Sequence, residues 1–340
     1  MPRVAVVFTG GTISMRHDAS AGGNVPVLGG AALLGTVPGL DAIADLIPID
    51  HGLTPASHFT FGSLFGIEAA VRDALADPSI DGAVVVQGTD TIEETAFFLD
   101  LLHRGPKPIV VTGAMRSASE PGYDGPVNLT AAVRLAASRD ASRADLGAVV
   151  VLGGSIEAAD DVTKTHASAF DTFRAMNRGS LGRVSDDGVV LQAERGPRRR
   201  VDTDRAAGRV FLVTATVATD GTPIAALLAA GADGFVVAAT GAGNTAPGLL
   251  AAAEAALADG LPVVLATRCP IGAAGAGYAF PGGGATWLRA GAFLAGHLSG
   301  PKARIALALG LGAGLDREGL ATLLADPVPI HDPERYWDPR

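Results

Sequence analysis

Short runs of consecutive apolar residues recur along the chain, and each is closed by a glycine or a threonine. They occupy residues 4–8, 83–87, 109–112, 148–152, 210–214, 235–239 and 263–266. The apolar residues follow one another instead of alternating with polar ones, which is typical of strands buried on both faces. The pattern therefore predicts parallel β-sheet.

Helical spacing appears between these runs. It is clearest after residue 91, where apolar or small residues recur every three or four positions: Ile92, Thr95, Ala96, Leu99 and Leu102. Thr91 followed by Glu94 predicts a capping box at the start of this helix. Strands that alternate with helices predict an α/β fold with right-handed crossovers.

The pattern is interrupted once, between about residues 192 and 210, where a Gly-Pro pair lies in a polar stretch. We predict a larger α/β domain over residues 1–192, a linker over 193–209 and a smaller α/β domain over 210–340. Arg198, Arg199 and Arg200 lie in the linker and would suit an RNA contact. Three charges are too few for a binding tract, so we expect a solvated linker.

Composition argues against several classes of function. The 340 residues carry a net charge of −9, which argues against a nucleic-acid partner. A hydrophobic content of 48% supports a large core.

The single cysteine, Cys269, excludes an internal disulfide, and the histidines form no close pair, so we expect no metal and no cofactor. No apolar run suits a signal peptide or a membrane span, and we expect a cytoplasmic protein with no membrane partner.

Polar turns follow the first three predicted strands. The sequence is TGGTI at residues 9–13, GTDT at 88–91 and GAMR at 113–116. Ligands of parallel sheets bind at the carboxyl ends of strands, and glycine lets the main chain approach them closely. Thr12, which precedes a glycine-rich loop instead of a clear helix, is a candidate nucleophile.

A threonine nucleophile needs a base. The chain has no GxSxG motif and no histidine close to either threonine turn. Lys164, in the sequence DVTKT at 161–165, is the one lysine in a polar motif, whereas Lys107 and Lys302 each lie beside a proline and are predicted to be on the surface. A lysine base must have a lowered pKa, which a neighbouring carboxylate opposes. We therefore expect Lys164 and Asp90 to act as one proton-sharing pair.

These turns belong to a set of blocks that occur in order along the chain. The blocks are residues 9–13, 87–96, 113–116, 124–129 and 161–165, followed by 268–272 and 300–305. Together they resemble the signature blocks of the bacterial-type L-asparaginases. The resemblance implies a flavodoxin-like larger domain, a smaller α/β domain, and hydrolysis of the side-chain amide of a small substrate. It also implies a homodimer or homotetramer with sites completed by the neighbouring subunit.

The resemblance also implies residue roles. Thr12 matches the acylated threonine on a mobile lid, and Thr89, Asp90 and Lys164 match the second threonine, the substrate-binding aspartate and the lysine. The implied substrate-binding positions are Gly11, Ser57, His58, Gly88 and Ala114. Of these, Ser57 matches the serine that holds the α-carboxylate, His58 stands where the family often has glutamine, and the Ala114 carbonyl lies where the family places the leaving amide.

Two departures from the family pattern bear on the substrate. The lid, residues 14–28, contains no tyrosine, whereas the secreted high-affinity enzymes carry one there. Residues 241–246 lack a second asparagine, and residues 277–281 hold no carboxylate where those enzymes present a neighbour's glutamate. Unless His58 or Tyr278 replaces these contacts, we expect weak affinity for L-asparagine. Glutamine, D-asparagine and non-amino-acid amides stay open as substrates.

Three alternatives also stay open. Residues 241–246 fit GxGxxA between a strand and a helix, and Arg268 ends the next strand, which would suit an NADP-dependent oxidoreductase. That reading leaves Thr89, Asp90 and Lys164 unexplained. A tRNA-dependent amidotransferase subunit shares the blocks, but we expect an added N-terminal domain there. A non-catalytic binding module is disfavoured because all four candidate catalytic side chains occur together.

Overall fold

A computed structural model describes residues 1–20 and 22–327, and the chain divides into two compact units, Met1–Arg200 and Val201–Arg340. No helix in the described ranges is both long and apolar enough to cross a membrane. The strands of the first unit are β1 (Arg3–Phe8), β2 (Met15–Asp18), β3 (Gly23–Pro26), β4 (Asp45–Asp50), β5 (Gly82–Val86), β6 (Ile109–Thr112), β7 (Ala148–Leu152), β8 (Ser155–Ala158), β9 (Val162–Lys164), β10 (Phe173–Ala175), β11 (Gly182–Ser185) and β12 (Gly188–Leu191). Its helices are α1 (Gly30–Gly35), α2 (Phe61–Ala76), α3 (Ile92–Leu102), α4 (Gly125–Ala136) and α5 (Arg139–Arg143).

The main sheet of the first unit has the spatial order β12-β11-β8-β7-β6-β5-β1-β4. Its five strands from β4 to β7 are parallel, and β8, β11 and β12 continue the sheet in antiparallel pairs. Numbered in chain order, the parallel strands run 2-1-3-4-5. This is the flavodoxin-like order, and its switch point lies between β1 and β5. The predicted fold class is thus confirmed.

Helices cover both faces of this sheet. Alternate strand residues such as Val6 and Val84 pack with α1 and α4, whereas their neighbours Val7 and Val85 pack with α2 and α3. Nearly every residue of β1, β5, β6 and β7 is therefore buried, as the unbroken apolar runs predict.

The second unit is a smaller α/β layer. Its strands β13 (Val210–Thr214), β14 (Gly234–Ala239), β15 (Val263–Thr267) and β16 (Phe293–Leu294) form a parallel sheet in that order. Its helices are α6 (Thr222–Ala229), α7 (Pro247–Ala258), α8 (Gly284–Ala290), α9 (Gly300–Gly312) and α10 (Arg317–Leu324).

Two surface predictions are wrong. Lys302 is 1% exposed in α9, because α9 packs along the sheet of its unit. The arginine side chains at 195, 198 and 199 are not solvated either, although Gly196 and Pro197 between them are exposed. The Arg195 guanidinium pairs with Asp100 and Asp160 at 2.8 and 2.7 Å, and all three side chains are at most 5% exposed. Arg198 and Arg199 are buried in the same way, and Arg198 also pairs with Asp100. These arginines attach the stretch to the first unit.

Candidate functional site

The strand register brings the three polar turns to one edge of the sheet. Phe8 in β1 lies opposite Val86 in β5, and Val86 lies opposite Thr112 in β6. The turns that begin at residues 9, 87 and 113 therefore leave the sheet side by side. Two of them flank the switch point between β1 and β5, where parallel sheets of this order bind their ligands.

Glycine allows the first two turns to touch. Gly11 has φ of +97°, and a Cβ built there would lie 2.2 Å from the main-chain nitrogen of Gly88. Ordinary van der Waals contact begins near 3.4 Å, so no other residue fits at Gly11 without movement. Thr12 follows directly, is half-buried and opens a 3₁₀ turn, Thr12–Ser14. The predicted nucleophile is thus held against the turn that carries Thr89.

The structure brings Lys164 to this second turn from 75 residues away in the chain. Its Nζ donates to Thr89 Oγ1 at 2.9 Å and to Asp90 Oδ1 at 2.9 Å. Lys164 ends β9, which pairs with β10 in an antiparallel hairpin. Its side chain is 13% exposed, and that of Asp90 is 71% exposed. Three of the four predicted side chains thus form one hydrogen-bonded group with an open carboxylate.

Ser57 and His58 lie on a 3₁₀ turn, Ala56–His58, and both are exposed. The turn is joined to the site through Thr91, whose Oγ1 donates to the Ala56 carbonyl at 3.2 Å. The predicted capping box at Thr91 is therefore wrong, since its side chain makes no cap hydrogen bond. A local sequence rule fails here because a tertiary partner takes the hydroxyl.

The third turn packs against Thr89. A Cβ built at Gly113 would lie 2.5 Å from the Gln87 carbonyl oxygen and 3.3 Å from Thr89 Cγ2. Ala114 follows and is buried, with 1% exposure. Of the predicted substrate-binding positions, Gly11, Gly88 and Ala114 are thus in or beside the cluster of turns, and Ser57 and His58 are on the turn attached to it.

Sequence reasoning assigned no role to Asp124 and Asn128, which hold the third turn. The Asp124 carboxylate accepts hydrogen bonds from the main-chain N–H groups of Met115 and Arg116, at 3.0 to 3.1 Å. Asn128 Nδ2 donates to the Gly113 carbonyl at 3.0 Å. An aspartate before Gly-Pro is typical of a helix start, so its position alone gives no sign of these contacts.

The segment predicted to be a lid folds as a hairpin of β2 and β3. It begins at Ser14, whose hydroxyl donates back to the Gly11 carbonyl at 2.8 Å. Tyr123, from the loop before α4, donates its hydroxyl to the Ile13 carbonyl at 2.6 Å. A tyrosine thus reaches the residue after Thr12 although the lid contains none.

The second unit contains the remaining segments of interest. The GxGxxA stretch does lie between β14 and α7, but Gly243 packs against Leu265 and Ala274, and Thr267 donates its hydroxyl to the Gly241 carbonyl. Gly243 thus serves close packing within the protein, and Gly241 has a positive φ of +51°. In the other segment, Tyr278 and Phe280 are about half exposed and their ring centroids lie 5.6 Å apart.

Comparison with known proteins decides the family. Residues 3–196 match the family model described as "Asparaginase, N-terminal", and residues 209–324 match "Glutaminase/Asparaginase C-terminal domain". The chain belongs to the asparaginase family. As a member of it, the protein is a hydrolase, and the predicted resemblance is confirmed.

Individual relatives agree over nearly the whole length. A "Probable L-asparaginase" of Deinococcus radiodurans is 37% identical over 96% of this chain and 98% of its own. An "L-asparaginase" of Bacillus licheniformis is 33% identical, over 90% and 94%. The crystal structure of a "Probable Cytoplasmic L-asparaginase" from Campylobacter jejuni superposes with a TM-score of 0.82 at 27% identity, covering 95% of this chain and 99% of that one.

No three histidine, cysteine or acidic side chains in the described part of the chain are grouped so that they could hold a metal ion.

Proposed function

We propose that this protein releases ammonia from the side-chain amide of L-asparagine, giving aspartate, through an ester formed on Thr12. The observation that carries the proposal is the Lys164 ammonium bridging Thr89 Oγ1 and Asp90 Oδ1 on a turn that packs against Gly11. The names of the relatives support the same reaction.

The steps balance with water as the only co-substrate. The Thr12 oxygen attacks the amide carbon, and its proton passes to the group formed by Thr89, Asp90 and Lys164. The C–N bond breaks as the nitrogen takes up a proton and leaves as ammonia. Water then attacks the ester carbon and gives one proton to the same group, and the bond to the Thr12 oxygen breaks as that oxygen takes up the proton and aspartate departs.

The arrangement also suggests how an amino-acid amide is held. Asp90 has an open carboxylate that suits the substrate ammonium, and a charge-assisted hydrogen bond of this kind is among the stronger polar contacts. Ser57 and His58 are exposed on the attached turn and suit the α-carboxylate. The Ala114 carbonyl suits the N–H of the leaving amide, and Gly11 and Gly88 let the main chain come close to the substrate.

Thr12→Ala tests the nucleophile. Loss of the ester route should lower kcat by at least about 10³-fold. Rapid quench followed by mass spectrometry should show a substrate-sized adduct on the wild-type peptide that contains Thr12 and none in the variant. Thr36→Ala, which removes the hydroxyl that an exposed threonine donates to the Leu33 carbonyl, is the control. Near wild-type turnover by Thr12→Ala would refute the assignment.

The substrate is tested separately, by ammonia release from L-asparagine, glutamine, D-asparagine and simple amides measured side by side. If glutamine, D-asparagine or a non-amino-acid amide is the best substrate, the proposed chemistry stands and that compound replaces L-asparagine as the proposed substrate.

We also propose a cytoplasmic homodimer or homotetramer with shared sites, in which residues 1–192 and 210–340 are domains joined by 193–209. The half-exposed rings of Tyr278 and Phe280 support contact with a second copy. Light scattering that gives the monomer mass in an active preparation would refute the assembly.

A further inference from the structure

The loop between β6 and α4 holds the first strand of the lid. Three hydrogen bonds join them. Tyr123 Oη donates to the Ile13 carbonyl at 2.6 Å, Ala118 N donates to the Met15 carbonyl at 3.2 Å, and His17 N donates to Ser119 Oγ at 2.9 Å. The bonded residues are Ile13, in the turn that Thr12 opens, and Met15 and His17, in β2.

Met15 and His17 are alternate residues of β2, and alternate residues of a strand direct their main-chain polar groups to the same side, so one neighbouring segment can bond to both. Ile13 lies before the strand, in the 3₁₀ turn that Thr12 opens. The loop therefore bonds to one side of β2 and to the turn that precedes it. Tyr123 makes the contact nearest to Thr12, at the very next residue.

The loop is itself well anchored. The Asp124 carboxylate holds its first turn, and the Glu120 carboxylate accepts a hydrogen bond from Ser117 N at 2.6 Å. The main-chain hydrogen bond from Ser117 holds the pKa of Glu120 below its ordinary value, as expected for a carboxylate that accepts an N–H donor. Arg116 lies over the Phe170 ring at 4.5 Å and donates to the Pro121 carbonyl. The hydroxyl of Tyr123 is thus presented from a fixed support.

We propose that Tyr123 is a positioning residue for the reaction, whose hydroxyl keeps the Thr12 turn in the attacking geometry by holding the Ile13 carbonyl. The inference rests on the proposed role of Thr12 as nucleophile. It explains how this chain orders the turn without a tyrosine in the lid.

The chemistry of the phenol suits this task. Burial, with the nearby Asp124 charge, raises the pKa of Tyr123 to about 12, so the hydroxyl stays a donor across the working pH range. The ring packs against the core on the face covered by α1 and α4. Removing the hydroxyl alone therefore leaves the ring packing in place.

Two variants remove the contact by different routes. Tyr123→Phe deletes the hydroxyl. Gly125→Ala leaves Tyr123 intact but places a methyl group 2.3 Å from the present position of its hydroxyl oxygen, which must then move. Thr36→Val, which deletes a hydroxyl bonded to the Leu33 carbonyl at 2.7 Å, is the matched control away from the loop.

Each variant should lower kcat for ammonia release by about twofold to tenfold, the range that one neutral hydrogen bond supplies. KM should stay within about twofold, because the groups proposed to bind substrate are untouched. Hydrogen exchange of the peptide covering residues 12–18, measured without substrate, should accelerate by a similar factor. Thr36→Val should change none of these.

The readouts separate the two proposals. A wild-type protein that releases no ammonia refutes the proposed function, whereas the exchange measurement still reports on the contact. If the hydroxyl served stability alone, Tyr123→Phe would lower the melting temperature and leave kcat per folded active site unchanged. That result would overturn the inference. Unchanged kcat and unchanged exchange in Tyr123→Phe overturn it as well.

Discussion

Gly11→Ala should lower kcat about 10²-fold with little loss of folded protein. The added methyl group meets the main chain of the neighbouring turn, with 2.2 Å to Gly88 N and 2.5 Å to the Gln87 carbonyl carbon. Main-chain atoms inside a packed sheet edge cannot rotate away as the end of a side chain can. The Thr12 turn must therefore withdraw by about 1 Å to restore ordinary contact, and a displacement of that size at a reacting group costs about 10²-fold in rate.

The free-energy cost of placing alanine at positive φ must be separated from the effect of moving the Thr12 turn. Gly11 has ψ of 178°, and a residue other than glycine held in this backbone region costs on the order of 1–3 kcal/mol. Gly52→Ala provides the control, since Gly52 has φ of +109° and a Cβ there meets nothing within 4 Å. We expect Gly52→Ala to lower the melting temperature by about 2–8 °C and to keep wild-type kcat.

The assay is kcat for ammonia release, with thermal unfolding of the same samples. The expected result is a kcat about 10²-fold lower in Gly11→Ala and an unchanged kcat in Gly52→Ala. A folded Gly11→Ala enzyme with kcat within threefold of wild type would show that the close approach of the two turns does not set the position of Thr12.

Lys164→Met should reduce turnover by at least about 10³-fold, while Lys107→Met, which removes an ammonium bonded to two carbonyls, should not; equal turnover in both refutes the proton role. Arg195→Met should cost about 3–5 kcal/mol in urea unfolding at pH 7. Burial alone would raise the pKa of the Asp160 carboxyl, but the surrounding guanidinium groups hold it well below its ordinary value. Its stabilising contribution is therefore complete above about pH 4 and lost as the pH falls through the lowered pKa; a variant as stable as wild type at pH 7 contradicts this. KM for L-asparagine should lie in the millimolar range with weak discrimination against D-asparagine and succinamic acid, and a micromolar KM with strict preference refutes it.

Much of the fold follows from the sequence because buried parallel strands produce unbroken apolar runs. All seven predicted strands are present, and their ends agree within one residue. Strand β4 escaped prediction because it lies at the sheet edge, where polar residues and Pro48 are tolerated and the pattern weakens. The short antiparallel strands β8 to β12 likewise lack a long apolar run.

The sequence predicts those parts of the site whose residues directly follow strands. Thr12 and Thr89 could be placed at one edge because parallel strands end together. The contact between Lys164 and Thr89 spans 75 residues and no local pattern records it. For the same reason Thr91 was predicted to cap a helix, whereas it bonds to the Ala56 carbonyl, and Tyr123 could not be connected with Ile13.

The buried arginines near residue 195 determine where the chain can be truncated to give a folded first unit. A fragment that ends at residue 192 would enclose Asp100 and Asp160 without the guanidinium of Arg195, whereas one that ends at residue 200 retains it. On the ribosome the same dependence sets an order of events. Asp100 lacks the buried ion pair with Arg195 until that residue, 95 positions later in the chain, has been translated. The first unit therefore completes its folding only as the chain beyond it begins to emerge.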